Sequence, residues 1–114
     1  MPDFELMKRD LLDEMADDHV GLWVVAGYVA DEMPGADESL IRGKTLELLD
    51  EVLRNEQIEA GFPDSNGRDF HAWPFPAQAV IRHIASCWNE QGPRPKAGEI
   101  CWFTAPAPIA GRSV

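Results

Sequence analysis

Apolar residues recur at helical spacing from the start of the chain. Phe4, Met7, Leu11 and Met15 lie three or four residues apart, which places them on one face of a helix. Asp3 stands directly before this pattern, where its carboxylate can accept a hydrogen bond from a free backbone N–H of the first turn. The spacing therefore predicts a first helix with Asp3 as its N-cap.

A second helix is predicted over residues 19–33, HVGLWVVAGYVADEM. Asp17 or Asp18 can cap it, and Pro34-Gly35 ends it. Its apolar residues lie on nearly every side, which is typical of a buried central helix. The β-branched run VVAGYV also fits a short strand, but the length of the pattern and its cap favour a helix.

The apolar period changes in the middle of the chain. Asp37 or Ser39 can begin a third helix, whose predicted inner face consists of Ile41, Thr45, Leu48, Leu49, Val52 and Leu53. Apolar residues then alternate with polar or small ones at Ile58, Ala60 and Phe62, which predicts a strand. The turn-rich segment PDSNGRD ends that strand.

A fourth helix and a closing strand follow. Pro76 fits the first turn of this helix, which we expect to end near Gln91-Gly92. Its inner face is predicted from Val80, Ile81, Ile84 and Trp88. Residues 99–104, EICWFT, predict the strand. The element order predicts an α+β fold, mostly helical with about four helices and a two-stranded sheet, or three-stranded if residues 70–73 join.

Length and charge narrow the function classes. A chain of 114 residues has room for one core, so we expect a single globular domain over residues 1–104 and a flexible tail over 105–114. It carries 20 acidic and 10 basic side chains, and residues 1–38 alone hold a net charge of −9. This sign argues against nucleic acid as a partner, because binding to phosphates needs a basic face.

No apolar run is long enough for a membrane span, and the first residues do not resemble a signal peptide. Two cysteines are too few for a disulfide scaffold, so we expect a cytoplasmic protein.

Candidate catalytic and metal-binding residues are sparse. His83 and Cys87 lie four residues apart on the predicted fourth helix, where both could face one ion. A zinc site needs further ligands, and His71, His19 and Cys101 are not spaced to supply them. The serines lack a nucleophile-elbow motif, and neighbouring acids such as Asp13-Glu14 are typical of a solvated helix face. We therefore predict no catalytic residue, no metal and no cofactor.

Three short motifs resemble known proteins. The stretch from Asp18 to Gly61 resembles the front of a winged-helix domain, in which a helix of the form GLWxVxxxV precedes a second helix and a strand. The motifs Gly21-Leu22-Trp23, Gln57-Ile58-Glu59-Ala60-Gly61 and residues 95–103 (PKAGEICWF), together with Trp73 and Trp88, are similar to a loosely defined set of small uncharacterised bacterial proteins. The resemblance implies a winged-helix-like fold and transfers no catalytic residue.

The leading functional hypothesis is a non-catalytic protein–protein interaction module with a basic protein partner. The candidate partner-binding residues are Asp13, Glu14, Asp17, Asp18, Trp73 and Phe75. Acids concentrated near the N-terminus would steer the partner. The loop aromatics between the prolines would anchor it, or they would instead cover the end of the small core. The first alternative is a DNA-associated winged-helix regulator, which requires a shared face for Arg42, Lys44, Arg54, Arg82, Arg94 and Lys96. The second is a small metal-binding protein or enzyme that uses His83 and Cys87, and the apolar stripe of the first helix leaves a homodimer open.

Overall fold

Four helices and four short strands make up the computed structural model, which describes residues 4–66, 69–89 and 92–106. In chain order the elements are α1 (Phe4–Asp17), β1 (Val20–Gly21), α2 (Leu22–Glu32), α3 (Glu38–Arg54), β2 (Glu59–Pro63), β3 (Phe70–Ala72), α4 (Ala77–Cys87) and β4 (Trp102–Thr104). The predicted α+β class and the four helices are confirmed. The Asp3 cap and most of the predicted tail, residues 107–114, lie outside the described residues.

The sheet has four strands rather than the predicted two or three. All pairs are antiparallel, in the order β1-β4-β2-β3, and β3 is the optional strand that the sequence placed at residues 70–73. The strand that the sequence missed is β1, because the pattern assigned Val20 and Gly21 to the second helix. Gly21 is extended, with φ −78° and ψ 157°, and α2 begins only at Leu22, whose N–H donates to the carbonyl of Cys101.

The expected caps of this helix were also wrong. The Asp18 carboxylate accepts the N–H of His19 at 2.7 Å, outside α2, and the N-cap is Gly21 without a side-chain hydrogen bond. For α3 the prediction is confirmed at Asp37, whose carboxylate accepts the N–H of Leu40 at 2.9 Å.

Cross-strand pairing brings the three sequence motifs together in one row. Gly21 lies opposite Trp102, Trp102 opposite Gly61, and Gly61 opposite Ala72. The Trp23 indole fills the space beside Gly21, where a Cβ would lie 1.7 Å from its Cζ3 atom, and it meets the Trp102 indole edge to face with ring centroids 4.7 Å apart. A Cβ on Gly61 would lie 2.1 Å from the carbonyl oxygen of His71. The motifs therefore serve the packing of the sheet.

The opposite row of the sheet and the helices form the core. Val20, Ala60 and Phe103 are buried between the sheet and the helices. The helices add the buried side chains Met7, Leu11, Met15, Leu22, Val25, Ala26, Val29, Ile41, Leu49, Val52, Val80, Ile84 and Trp88. The apolar stripe of α1 is thus buried within its own chain, and α2 is the central helix that its sequence predicts.

Three predicted element boundaries were wrong. The fourth helix ends at Cys87 rather than near residues 91–92, and Pro76 is its extended N-cap rather than part of its first turn. The last strand begins at Trp102 rather than Glu99, because Ile100 has a φ of 71° that extended backbone does not allow. No helix among the described residues has the length and apolar run that crossing a bilayer requires.

Candidate protein-binding surface

Four predicted binding residues lie along the C-terminal half of α1 or directly after its end. Asp13, Glu14, Asp17 and Asp18 are all exposed, and we call them the α1 acidic surface. None of the four carboxylates has a cationic partner among the described residues. Their negative charge is therefore neutralised by no side chain within the described part of the fold.

Helix α1 carries two basic residues, the exposed Arg9 and Lys8, and Lys8 has other partners. The Lys8 ammonium lies 2.8 Å from the Glu51 carboxylate on α3 and 3.1 Å from Glu5. Hydrogen bonds from Lys8 to these carboxylates, first to Glu51 and then to Glu5, raise the pKa of Lys8 above its usual value. Lys8 thus links α1 to α3 at the end away from the α1 acidic surface.

A groove of about 610 Å³ opens between the end of α3, strand β2 and the start of α4. We call this space the groove. It is lined by Leu53, Arg54, Glu56, Ile58, Glu59, Ala60, Ala72, Trp73, Phe75, Pro76, Ala77, Val80 and Pro106. The buried residues Ile58, Ala60 and Val80 belong to the core, so the groove has an apolar floor.

Trp73 and Phe75, which the sequence groups together, have different environments. Trp73 is half-buried against the core, and its ring centroid lies 5.8 Å from that of Phe62 and 5.2 Å from that of His83. Its backbone N–H donates to the backbone carbonyl of Ala60. Phe75 is 60% exposed. Trp73 is therefore a fixed wall of the groove, and Phe75 is the aromatic side chain that remains accessible to a partner.

Two acids at the rim of the groove were missed by the sequence analysis. Glu56 follows the end of α3, where its N–H donates to the carbonyl of Leu53 and the N–H of Gln57 donates to that of Val52, the hydrogen bonds of a Schellman motif. This motif requires a left-handed residue, which is usually glycine, and Glu56 adopts it with φ 57°. The sequence signal that could have identified Glu56 is a glutamate at the position after the helix where glycine usually stands.

Glu59, the second rim acid, is exposed at the start of β2. Neither Glu56 nor Glu59 has a side-chain partner among the described residues, whereas Arg54 in the same groove pairs with Asp50. The net side-chain charge left at the rim is therefore negative.

The groove and the α1 acidic surface are connected through the end of β4. Glu59 lies opposite Thr104 in the sheet, and the next residue, Ala105, donates its N–H to the carbonyl of Met15 at 3.2 Å. Met15 lies on α1 between Glu14 and Asp17 of the α1 acidic surface, and Pro106 lines the groove. The predicted acids and the rim acids thus lie at the same end of the sheet.

Most cations of the DNA alternative have partners within the fold. Arg42 donates from Nε to the carbonyl of Trp88 and from Nη2 to that of Ala85, both at 2.8 Å. Three other cations form ion pairs with acids: Lys44 with Glu47, Arg54 with Asp50 and Arg94 with Glu38. Arg82 and Lys96 are exposed, and Arg54 and Arg82 share a second groove with two acids, Glu47 and Asp50. The DNA alternative stays a prediction.

The metal and nucleophile candidates are only partly brought together. The His83 Nε2 and Cys87 Sγ atoms are 3.7 Å apart, while His71 lies with Asp64 at 3.5 Å. Within the described ranges, no group of three His, Cys, Asp or Glu side chains is arranged to hold a metal ion. Burial raises the pKa of the Cys101 thiol to about 12, which keeps it protonated at neutral pH.

Comparison with protein-family models, with curated proteins and with solved structures finds no match to this chain. The resemblance to winged-helix domains and to small bacterial proteins stays a prediction from the sequence motifs. The function is therefore inferred from the geometry and charge of the surface.

Proposed function

We propose that this chain is a non-catalytic protein–protein interaction module that binds a basic partner protein. The α1 acidic surface carries the proposal, because its four exposed carboxylates have no cationic partner among the described residues. Exposed charge of one sign speeds the encounter with a partner of opposite sign and orients it. Both cysteines are free thiols, which fits a role in the reducing cytoplasm.

The charge of the whole chain supports the same proposal. The formal net charge is −10, and several acids are already paired with lysine or arginine, as Glu51 is with Lys8. The acids of the α1 acidic surface are among those left without such a pair, so a basic partner can contact them. Such contacts are screened by salt, because exposed charges interact over only about 10 Å at an ionic strength of about 0.1 M.

The test is capture from the source lysate with the tagged chain at low and high salt, with protein and nucleic acid both quantified. The variant Asp13→Asn/Asp17→Asn neutralises two charges one helical turn apart on the α1 acidic surface. The matched control, Asp31→Asn/Asp69→Asn, removes the same charge at exposed positions outside it. We expect a basic protein that the wild type and the control retain at low salt, that high salt releases, and that the α1 variant fails to capture.

Three results would contradict the proposal. Binding that is indifferent to salt would remove the role of charge. Equal loss in the α1 variant and the control would show that overall charge, rather than this surface, governs capture. Recovery of nucleic acid alone would favour the winged-helix regulator.

A further inference from the structure

We infer that the groove binds an extended segment of the basic partner in which an apolar side chain is flanked by lysine or arginine. This inference rests on the proposed function and specifies where the partner binds and what its recognised segment contains. Two features of the groove support it: the exposed aromatic side chain of Phe75, and the rim acids Glu56 and Glu59, which have no side-chain partner among the described residues.

The apolar half of the site combines buried, half-buried and exposed side chains. Ile58 and Val80 are buried in the floor, and Trp73 is held on one side by edge-to-face contacts with Phe62 and His83. Phe75 stands between two prolines, and its ring is largely open to solvent. An apolar side chain that enters the groove would cover this ring, and buried aromatic anchors dominate the energetics of most interfaces.

The charged half of the site comes from Glu56 and Glu59. Neither carboxylate has a partner among the described residues, while the one cation of the lining, Arg54, is paired with Asp50. A lysine or arginine on either side of the apolar residue would therefore meet an acid that is free to pair with it. Charge pairs that frame an apolar contact fix the register of a bound segment and add specificity.

The groove is open to an extended segment. It lies between separate elements instead of forming an enclosed cavity, and its volume is about 610 Å³. Pro106 lines the groove, and the preceding residue, Ala105, is hydrogen-bonded to the backbone of Met15, next to Glu14 of the α1 acidic surface. A basic segment that leaves the groove in this direction would meet a second group of acids, so the two surfaces would act on the same partner.

The experiment selects binders for the full chain from a random peptide library displayed on phage. The enriched peptides are then synthesised, and their affinities are measured for the wild type and for two groove variants, Phe75→Ala and Glu56→Gln/Glu59→Gln. Leu40→Ala is the control for the loss of an exposed apolar side chain, because Leu40 is 48% exposed and lies outside the groove. Asp31→Asn/Asp69→Asn is the control for charge.

We expect enriched peptides in which an apolar residue is flanked by lysine or arginine. Each groove variant should weaken their binding by about tenfold or more, the loss that removal of one interface anchor produces, and each control by less than about twofold. Circular dichroism and urea unfolding confirm that every variant is folded, so the loss reports contact rather than stability.

The other outcomes overturn the inference and separate it from the proposed function. Failure to enrich peptides, or enrichment of peptides without basic residues, rules out the inferred segment. Basic peptides that bind the groove variants normally but lose affinity for Asp13→Asn/Asp17→Asn would remove the groove and leave the proposed function intact. If, in addition, the lysate capture recovers no basic protein that high salt releases, both the inferred segment and the proposed function are refuted.

Discussion

Replacing Glu56 with glycine is predicted to stabilise the fold and to weaken the binding of a basic partner. Glu56 holds φ 57° in the Schellman motif that ends α3, and a left-handed conformation costs an L-residue about 1–2 kcal/mol. Glycine removes this cost but loses about 0.5–1 kcal/mol more conformational entropy on folding. At the midpoints of the two ranges the difference is a gain of about 0.75 kcal/mol in the free energy of unfolding, which raises the melting temperature by about 3–6 °C.

A matched variant separates the backbone from the charge. Glu56→Ala removes the same carboxylate but keeps a Cβ, so its free energy of unfolding should stay within about 0.5 kcal/mol of the wild type. Urea unfolding followed by tryptophan fluorescence gives the free energy of unfolding of both variants. Titration with an enriched lysine-containing peptide from the library gives their binding affinities. Both variants should bind this peptide more weakly, and only Glu56→Gly should unfold at higher urea. A Glu56→Gly protein no more stable than Glu56→Ala would refute the left-handed conformation at Glu56.

Three further predictions concern the fold. Arg42→Ala should lower the free energy of unfolding by about 2–3 kcal/mol, because two charge-assisted hydrogen bonds to the end of α4 are lost, whereas Arg82→Ala should change it by less than about 0.5 kcal/mol in the same urea titration. Gly61→Ala should destabilise by about 2–3 kcal/mol in thermal unfolding, since its Cβ would lie 2.1 Å from a backbone oxygen, while Gly43→Ala in open space on α3 should stabilise by about 0.5–1 kcal/mol. Equal effects of the two alanines would contradict the sheet register. The pKa of Cys101 is raised from 9.0 to about 12, so the unfolded state loses this proton first and the free energy of unfolding should fall as the pH rises above 9, a slope that Cys101→Ala should reduce.

The helices could be predicted from the sequence because their inner faces are local patterns. Met7, Leu11 and Met15 are buried as their spacing predicts, and so are Val80 and Ile84. Local patterns were insufficient where a backbone conformation depends on distant residues. Gly21 is extended because Trp102 pairs with it from the other end of the chain, while the nearby run VVAGYV, which also fits a short strand by its sequence, lies in α2.

The candidate site was predictable only in part for the same reason. The four acids of the α1 acidic surface lie within six residues of the sequence, so local sequence was enough to identify them, and all four are exposed in the structure. The groove draws its lining from residues 53–60, 72–80 and 106, so its existence follows from tertiary contacts that no single segment shows. Proline spacing marked the loop around Trp73 and Phe75, but only the contacts of Trp73 with Phe62 and His83 show that Trp73 is structural.

A backbone-amide chemical-shift titration of the isotope-labelled full chain with an enriched lysine-containing peptide locates the binding site residue by residue. If the groove binds the peptide, the largest shifts occur at Glu56, Glu59, Trp73 and Phe75, smaller shifts occur along the α1 acidic surface, and high salt reverses them. Shifts confined to the sheet residues around Trp102, such as Gly21 and Gly61, or shifts that salt does not change, would refute binding in the groove.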